Sequence, residues 1–353
     1  MVKKILKALA ILASVLLLGF GGFLGYVTLT DYKPQPIEKV AVQGTALEKL
    51  ATSTPFSVTT FNIGYAGLDK DQDFFLDGGT QSHSLSEEKT LENVAGITKA
   101  IKDANASFYF LQEVDRKASR SFHVNEYDYI QKQLPNYQHV FAQNYRVPWV
   151  PVPVFDPMGS VDGGLVTFSK YEMGESTRYA LPGQEAWPRQ QMELDRCLLE
   201  TKVPLENGKT LYLVHVHLSA YDEGGFIRKQ QLTFLKAYLQ EREQAGDYVI
   251  VGGDWNHLLP GTDPKRFAAQ EVWPDWLQTF PTNFLPEGYT WAADPNVPTS
   301  RTLAVAYREG YNFLSVIDGF LVSNNVEIQK VSGHDLGFTY SDHNPVTAEF
   351  KLK

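Results

Sequence analysis

Cysteine is almost absent from this chain, and its scarcity removes one class of fold at once. Among 353 residues there is one cysteine, Cys197. A single thiol cannot form an intrachain disulfide, so a small disulfide-stapled fold is excluded, although the cellular compartment stays open. Hydrophobic residues make up 43% of the chain, which is enough to bury a large apolar core.

Positive charge is also in short supply. The chain carries 32 Lys and Arg against 41 Asp and Glu, a formal net charge of -9. Lys3, Lys4 and Lys7 lie at the N-terminus, and the rest of the chain without them has a charge of -12. A strongly acidic body repels polyanions, so general coating of nucleic acid is disfavoured. A local basic cleft is compatible with this charge, so a nuclease is not excluded.

One N-terminal segment lacks charge altogether. Residues 8–29 form an uncharged run that would span about 33 Å as a helix, which matches a hydrocarbon core of about 30 Å. The lysines precede the run and Asp31 follows it, so the N-terminus is expected in the cytoplasm and the body outside. A cleaved signal peptide is the alternative, but no good small-residue cleavage site follows the run. We predict a single-pass anchor over residues 1–30.

Two proline-rich segments are expected to lie outside the central strands. Residues 31–55 are predicted to be a linker, with one short edge strand near Val40. Residues 143–159 contain four prolines together with Trp149 and Phe155, a density that excludes a central strand. We expect a loop there, which either faces solvent or contacts the substrate or the membrane.

From residue 56 onward, strand and helix patterns alternate without an internal repeat. Apolar segments at 57–62 and 107–112 flank a helical pattern over 86–103, and an amphipathic helix is predicted over 225–245. Other strands follow one another directly, which favours mixed, largely antiparallel sheets. We predict one α/β domain over residues 56–353. The further strands are expected at 164–169, 196–203, 210–217, 247–252, 316–323 and 346–352.

Polar residues stand at the ends of five of these apolar strands. A buried terminal carboxylate needs a partner. Several carboxylates, imidazoles and amides that converge at strand ends suit one hard cation such as Mg²⁺, with a phosphate in its remaining positions. The segments are Thr60-Phe61-Asn62, Leu111-Gln112-Glu113-Val114-Asp115, His215-Val216-His217-Leu218, Gly253-Asp254-Trp255-Asn256 and Ser341-Asp342-His343-Asn344-Pro345.

Taken together, these segments resemble the endonuclease/exonuclease/phosphatase superfamily, which includes deoxyribonuclease I-like nucleases, inositol polyphosphate 5-phosphatases and neutral sphingomyelinases. The resemblance covers about residues 57–353 and rests on the order and spacing of the set. It implies a four-layer α/β sandwich of two mixed, largely antiparallel sheets flanked by helices, here preceded by a transmembrane helix. It also implies a metal-dependent phosphoric ester hydrolase that uses Mg²⁺, with Mn²⁺ or Ca²⁺ as alternatives.

The resemblance assigns roles to individual residues. It implies that Glu113, Asp342 and Asn62 hold the metal, and that Asn62 also contacts the phosphate. Asp254 would orient or deprotonate the attacking water, while Asn256 would hold a phosphoryl oxygen.

The histidines are assigned in the same way. His217 would contact phosphate and protonate the leaving group, in preference to His215, because His217 ends the strand; strand alternation places both on one face. Asp318 in Ile-Asp-Gly-Phe would hydrogen-bond His343. The general base, Asp254 or His343, stays open, although an imidazole held by Asp318 favours a cationic stabiliser of the transition state.

Two arginines are weaker candidates for substrate binding. Arg196 either reaches toward phosphate or forms a structural ion pair. Arg120, with Arg116 and Lys117, either binds a second phosphate or an anionic headgroup or belongs to a solvated helix face.

The substrate is the open question. An acidic body tethered to the cell membrane, with its catalytic domain facing outside, favours a lipid headgroup or a small phosphodiester. A nuclease is the alternative, but it predicts a basic stripe, and no long Lys/Arg cluster is visible. A non-catalytic binding module would be expected to have lost metal or histidine positions, and none is lost. We expect a monomer whose partners are a phosphoester and the membrane, with nucleic acid not favoured.

Overall fold

Residues 1–45 and 48–353 are described by the computed structural model, and over these residues the chain forms four α-helices and seventeen strands. The helices are α1 (Val2–Leu29), α2 (Glu87–Ala104), α3 (Glu126–Gln133) and α4 (Phe226–Ala245). The strands are β1 (Ile37–Val40), β2 (Phe56–Asn62), β3 (Phe108–Asp115), β4 (Gln138–Val150), β5 (Gly159–Ser169), β6 (Ser176–Ala180), β7 (Cys197–Pro204), β8 (Thr210–His217), β9 (Tyr248–Asp254), β10 (His257–Leu258), β11 (Gln278–Thr279), β12 (Tyr289–Ala292), β13 (Ser300–Arg301), β14 (Leu314–Ser315), β15 (Asp318–Ser323), β16 (Val326–Gly333) and β17 (Val346–Leu352).

Most of the strands belong to two large sheets. One has seven strands in the order β1-β6-β7-β8-β9-β15-β12, and the other has six in the order β16-β17-β2-β3-β5-β4. Each sheet contains a single parallel pair, β8 with β9 and β2 with β3, and the other neighbours are antiparallel. Parallel neighbours need a long crossover. The crossovers contain α4 and α2, so the mixed, largely antiparallel sheets predicted from the sequence are confirmed.

The alternation of side chains along β3 shows how the layers are built. Phe108 and Phe110 point into a core between the two sheets, whereas Tyr109 and Leu111 point into a second core beneath α2 and α3. A third core joins α4 to the outer face of the seven-stranded sheet. Because both faces of the central strands are covered, these strands are continuously apolar. The predicted helix–sheet–sheet–helix sandwich is therefore confirmed.

The prediction of a loop over the whole of residues 143–159 was wrong. The first part, up to Val150, belongs to β4, which lies at the edge of the six-stranded sheet. An edge strand tolerates Pro148 because the missing N–H can face away from the sheet. Irregular pairing with β5 interrupts the register twice in this stretch. Only residues 151–158 form the loop.

Helix α1 has the dimensions of a membrane span. Its 28 residues give a length of about 42 Å, and its apolar side chains are largely exposed along most of that length. Over the part of the chain that the structure describes, it is the one helix long and apolar enough to cross a membrane. Its last turn contacts the body, where Val27 is fully buried and the Trp187 indole donates to Thr28 Oγ1 at 3.1 Å.

The predicted linker lies against the domain over much of its length. Strand β1 forms near Val40, as expected, and pairs with β6 at the edge of the seven-stranded sheet. Residues 46 and 47 of the linker lie outside the described residues. The division into an anchor (1–30), a linker (31–55) and a catalytic domain (56–353) stays a prediction.

A carboxyl group beside this junction makes stability depend on pH. Burial and the nearby Asp31 carboxylate raise the pKa of Asp195 to about 7. Because the folded-state pKa lies above the unfolded one, the unfolded chain loses its proton first, and stability falls as the pH rises through that interval. We expect Asp195→Asn to raise the melting temperature by a few degrees at pH 8 and by much less at pH 5. Thermal unfolding of the full chain in detergent measures this, and a pH-independent difference would contradict it.

Candidate active site

The carboxyl ends of both parallel pairs meet at one end of the sandwich. Each strand–helix–strand unit places two strand ends side by side, and packing of the sheets brings the two units together. The loop before β17 and the start of β15 close the same cleft. Within the described residues, the cleft is lined by nine of the ten side chains predicted for the site, Asn62, Glu113, Arg120, Arg196, His217, Asp254, Asn256, Asp342 and His343, and the tenth, Asp318, lies buried behind His343.

Asn62 joins the two sheets inside the cleft. Its Nδ2 donates to Glu113 Oε1 at 3.1 Å and to Asp254 Oδ2 at 3.0 Å. Its Oδ1 accepts from the backbone N–H of Gly64 at 3.0 Å, which fixes the orientation of the amide. Asn62 therefore positions two carboxylates in this arrangement, and its direct ligation of a metal stays a prediction.

Glu113 reaches the cleft through an unusual backbone conformation. It lies in a bulge of β3, where pairing with β5 breaks between Leu111 and Val114, and its φ of 55° is in the left-handed region. A non-glycine residue in this region is strained, and such strain is typical of functional positions. The bulge turns the Glu113 side chain out of the sheet toward the cleft, where it is 22% exposed.

The Asp342 carboxylate lies close to the backbone of Gly64 and faces the same cleft as Glu113. A Cβ at Gly64, which has a φ of 51°, would lie 2.7 Å from Asp342 Oδ1, so this position needs glycine. Burial raises the pKa of Asp342, and the Glu113 carboxylate raises it further, although the His343 cation opposes both. The two carboxylates repel each other, and a divalent cation between them would relieve that repulsion.

The two histidines have opposite charge states. Burial would lower the pKa of His343, but the Asp318 and Asp342 carboxylates outweigh it and raise the pKa well above its usual value. His343 Nδ1 donates to Asp318 Oδ2 at 2.8 Å. Burial lowers the pKa of His217 well below its usual value, and the nearby Arg196 cation lowers it further. His343 is therefore an imidazolium at neutral pH, and His217 is neutral.

Asp254 lies between these two imidazoles. Its Oδ2 is 3.4 Å from His217 Nε2 and 3.8 Å from His343 Nε2. Burial and the charge of Asp318 raise the pKa of Asp254 to about 7. A carboxyl group with a pKa near the working pH is suited to general base catalysis.

Asn256 lies close to Asp254 at the rim of the cleft. Its φ is 48°, and its backbone N–H donates to Asp254 Oδ1 at 2.9 Å. Its side-chain Nδ2 donates to the carbonyl of Leu218 at 2.8 Å. The amide has a second hydrogen, which remains available for a phosphoryl oxygen.

Two groups of side chains could hold a divalent cation. The ligand atoms of Asp254, Asp318 and His343 lie within 4.8 Å of one another. This set already forms an internal ion pair, which a metal would have to break. Glu113 and Asp342 form only longer ion contacts, with Arg120 Nη1 at 3.8 Å and with His343 Nε2 at 3.9 Å. Their carboxylate oxygens are the kind of ligand that Mg²⁺ prefers. The second group fits a hard cation better.

Arg120 is a buried part of the site and does not belong to a solvated helix face. Its Nε and Nη2 donate to the Asp115 carboxylate, each at 3.0 Å, and its Nη1 is 3.8 Å from Glu113 Oε2. The guanidinium also lies over the Tyr65 ring, 4.1 Å from its centroid. Arg116, four residues earlier, forms an ion pair with Asp162 on β5 instead.

Arg196 faces the cleft with an unused donor. Its Nη1 is buried and has no hydrogen-bond partner among the described residues. Burial lowers the pKa of Arg196, although the Glu113 and Asp254 carboxylates oppose this shift. An unpaired guanidinium N–H beside two carboxylates is suited to a bound phosphate, whose oxygens would accept from it.

His215, the competing histidine, lies in the core below the cleft. Its ring stacks on Phe110 with centroids 4.8 Å apart, and its nitrogens contact the side chains of Gln112 and Thr167. Burial lowers its pKa to about 3. Strand alternation places His215 and His217 on the same face, but only His217 reaches the cleft.

Other cleft residues have no signal in the sequence. Tyr65 and Asp77 lie in short 3-10 helices between β2 and α2, whereas Tyr221 and Trp276 lie in loops. The indole of Trp276 donates to Asp77 Oδ1 at 2.9 Å. Burial raises the pKa of Asp77 to about 6. These segments have no periodic pattern, and their place depends on the packing of the whole domain.

Residues 60–343 match the model of the Endonuclease/Exonuclease/phosphatase family. With this cleft at the ends of its strands, the chain is a phosphoester hydrolase. It belongs to the endonuclease/exonuclease/phosphatase family, whose members depend on a divalent metal. No curated protein matches the sequence.

Solved structures with the same fold are distant in sequence. An endonuclease/exonuclease/phosphatase from Beutenbergia cavernae is 16% identical, with a TM-score of 0.58 over 84% of this chain and 72% of that one. TDP2 from D. rerio, complexed with single-strand DNA product, is 18% identical, with a TM-score of 0.53 over 85% and 100%. ANGEL2, described as a 2',3'-cyclic phosphatase, is 16% identical, with a TM-score of 0.54 over 89% and 99%. These likenesses support the fold.

Proposed function

We propose that this chain is a membrane-anchored, Mg²⁺-dependent phosphoesterase that acts at the outer face of the cell membrane. The observation that carries the proposal is that the Asn62 amide donates hydrogen bonds to both Glu113 and Asp254 in one cleft. Glu113 is the proposed metal ligand, and Asp254 is the proposed base for the attacking water. Its substrate would be a phosphomonoester or phosphodiester, with a lipid headgroup or a small phosphodiester favoured.

The charges in the cleft support in-line attack of water on phosphorus. A divalent cation held by Glu113 and Asp342 would neutralise phosphoryl charge and help the leaving oxygen to depart. Asp254, with its pKa near 7, would accept the proton of the attacking water. The His343 imidazolium cannot act as that base, and its charge suits stabilisation of the transition state together with Arg196.

The remaining polar side chains hold the phosphoryl group in this scheme. Asn256 would donate its second amide hydrogen to a phosphoryl oxygen. Neutral His217, 3.4 Å from Asp254, would contribute hydrogen bonding rather than charge. Asp318 would keep His343 oriented and protonated through their 2.8 Å bond.

A nuclease is the second candidate, because TDP2 from D. rerio was solved with a DNA product and shares the fold. A nuclease needs basic side chains that are free to follow a phosphate backbone. Near this cleft, Arg116 and Arg120 are engaged by the carboxylates of Asp162 and Asp115. This pairing favours a small phosphoester over a long polyanion.

The proposal is tested with the full chain purified in detergent. We expect it to release phosphate or a phosphorylated headgroup from one member of a panel of phospholipids, single-stranded DNA, and inositol and sugar phosphates. The activity should disappear after treatment with EDTA and return with Mg²⁺, while Mn²⁺ and Ca²⁺ are compared in parallel. Unchanged turnover in the metal-stripped protein, or no hydrolysis of any class with metal present, would contradict the proposal.

A further inference from the structure

Five exposed apolar side chains lie on three segments that also line one cavity of the domain, and we call them the apolar rim. Phe155 is fully exposed, and Val154, Trp187 and Phe226 are each at least 60% exposed, with Trp149 at 41%. Single exposed apolar residues are common on soluble proteins. A group that comes from three separate segments and includes two tryptophans is not, and such groups mark surfaces that bind something apolar.

The rim segments continue into the wall of a cavity beside the metal cleft. Loop 151–158 ends in Met158, the segment after Trp187 leads to Leu194, and Phe226 is followed by Ile227. All three of these inner residues line a cavity of about 130 Å³. The same cavity is also lined by Glu113, Arg196 and His217, which line the candidate active-site cleft as well. A substrate that passes the rim would therefore reach the metal site phosphate-first, with its apolar part outward.

Contacts with α1 place this rim at the level of a membrane surface. Thr28, whose Oγ1 accepts from the Trp187 indole, lies one residue before the end of α1, about 2 Å along the helix axis. Val27 is buried against the body at the same level. The body therefore touches the end of the apolar run itself, and no gap separates the two.

The chemistry of the rim matches lipid better than another partner. Tryptophan is enriched where a protein crosses from hydrocarbon to headgroups, because its ring is apolar and its N–H is polar. The Trp187 N–H donates to Thr28 of α1. Tyr32, which follows α1, is a second aromatic residue near this level, and its ring centroid lies 5.9 Å from the Arg146 guanidinium. The net charge of -9 opposes a polyanionic partner.

We propose that the apolar rim seats on the outer leaflet of the bilayer that holds α1, so that the cavity opens onto the lipid surface and takes headgroup phosphoesters from it. The choice of substrate rests on the proposed function, because it needs a phosphoesterase site at the end of the cavity. The seating of the rim does not depend on the chemistry. The two parts can therefore be tested separately.

Seating is tested by a fluorescent label on the full chain in phosphatidylcholine vesicles. Cys197 is fully buried, so a cysteine introduced at Phe155 is labelled selectively. We expect an environment-sensitive dye at this position to shift to the blue and to be quenched by lipids with a nitroxide near the headgroup. The matched control is Glu206→Cys in the exposed turn between β7 and β8, at the opposite end of β8 from the cleft. The control dye should stay unquenched.

Substrate access is tested by removing the rim without touching the cleft. In Val154→Ser/Phe155→Ser and in Trp187→Ser, we expect hydrolysis of vesicle phospholipid to fall by about tenfold, since each change removes apolar area from the bilayer contact. Hydrolysis of a water-soluble aryl phosphodiester should stay within about twofold of the unchanged chain, because the cleft is intact. Leu285→Ser, an exposed apolar residue in the loop between β11 and β12, is the control.

The outcomes separate the seating from the chemistry. A quenched dye with a selective loss of lipid hydrolysis supports both parts of the inference. An unquenched dye at position 155 overturns the seating, whatever the activity, as does protection of that dye by single-stranded DNA instead of lipid. Equal losses on lipid and soluble substrates overturn the access route. If the dye is quenched and no phosphoester is cut, the seating stands and the proposed function fails.

Discussion

Replacing Glu113 with alanine is expected to lower kcat for phosphoester hydrolysis by about three orders of magnitude or more, because the change removes a predicted metal carboxylate. The fold should survive. Arg120 keeps its two bonds to Asp115, and Asn62 keeps its bonds to Asp254 and Gly64. Alanine at this left-handed position carries a backbone strain similar to that of glutamate. Initial rates at saturating substrate, over a range of Mg²⁺ concentrations, measure the effect.

Glu175→Ala is the matched control for this variant. Glu175 is an exposed carboxylate that pairs with Lys39 on β1 and Lys202 on β7, and none of the three lines the cleft. Its removal should leave kcat and the dependence on Mg²⁺ unchanged. Both variants should keep the circular dichroism spectrum of the original chain. Full turnover of Glu113→Ala at low Mg²⁺ would remove Glu113 from the metal site.

Replacing Asp318 with asparagine is expected to lower kcat by about a thousandfold, because the amide cannot hold the charge of the His343 imidazolium. Asp318 is fully buried, and its Oδ2 receives the 2.8 Å bond from His343 Nδ1. The amide has nearly the same shape as the carboxylate, so the packing should persist. The pKa of His343 should fall toward its ordinary value.

The pH dependence distinguishes this role from a purely structural one. The Asp318 carboxylate raises the pKa of His343 well above its usual value, so the original chain keeps the imidazolium to a higher pH than an ordinary histidine would. In Asp318→Asn the loss should occur at lower pH, so the ratio of the variant's kcat to that of the original chain should be higher at pH 5.5 than at pH 8. Asp103→Asn, which changes an exposed ion pair with Lys99 on α2, is the control. A uniform loss at every pH would mean that Asp318 acts only through packing.

Local sequence patterns predicted the central strands and the polar residues that end them. The predicted helix over 225–245 begins one residue before α4, and the strands over 210–217 and 346–352 coincide with β8 and β17. Apolar runs show where buried strands lie, and polar residues directly after them, such as Asp254, must be at the strand ends. In each parallel pair the two carboxyl ends lie side by side, so the polar residues that end those strands are brought together.

Features that depend on distant parts of the chain could not be predicted in this way. Pro148 lies in a strand because β4 happens to be at a sheet edge, and edge position is decided by the packing of other strands. The bulge that turns Glu113 into the cleft depends on its pairing with β5. Asp77 and Tyr221 enter the cleft on a short 3-10 helix and a loop whose courses the sequence does not reveal.

The hydrogen bond between Asn62 and Asp254 spans the interface of the two sheets. Measured activity would therefore report whether the two sheets are correctly packed against each other. Glu113, the predicted metal ligand, lies on the six-stranded sheet, and Asp254 and His217 lie on the other. Neither half carries a complete set, so a fragment or a partly unfolded form that keeps one sheet has no residual chemistry. Asp342 and His343 come directly before β17, so the set of cleft residues is complete only when the last strand of the six-stranded sheet has been made.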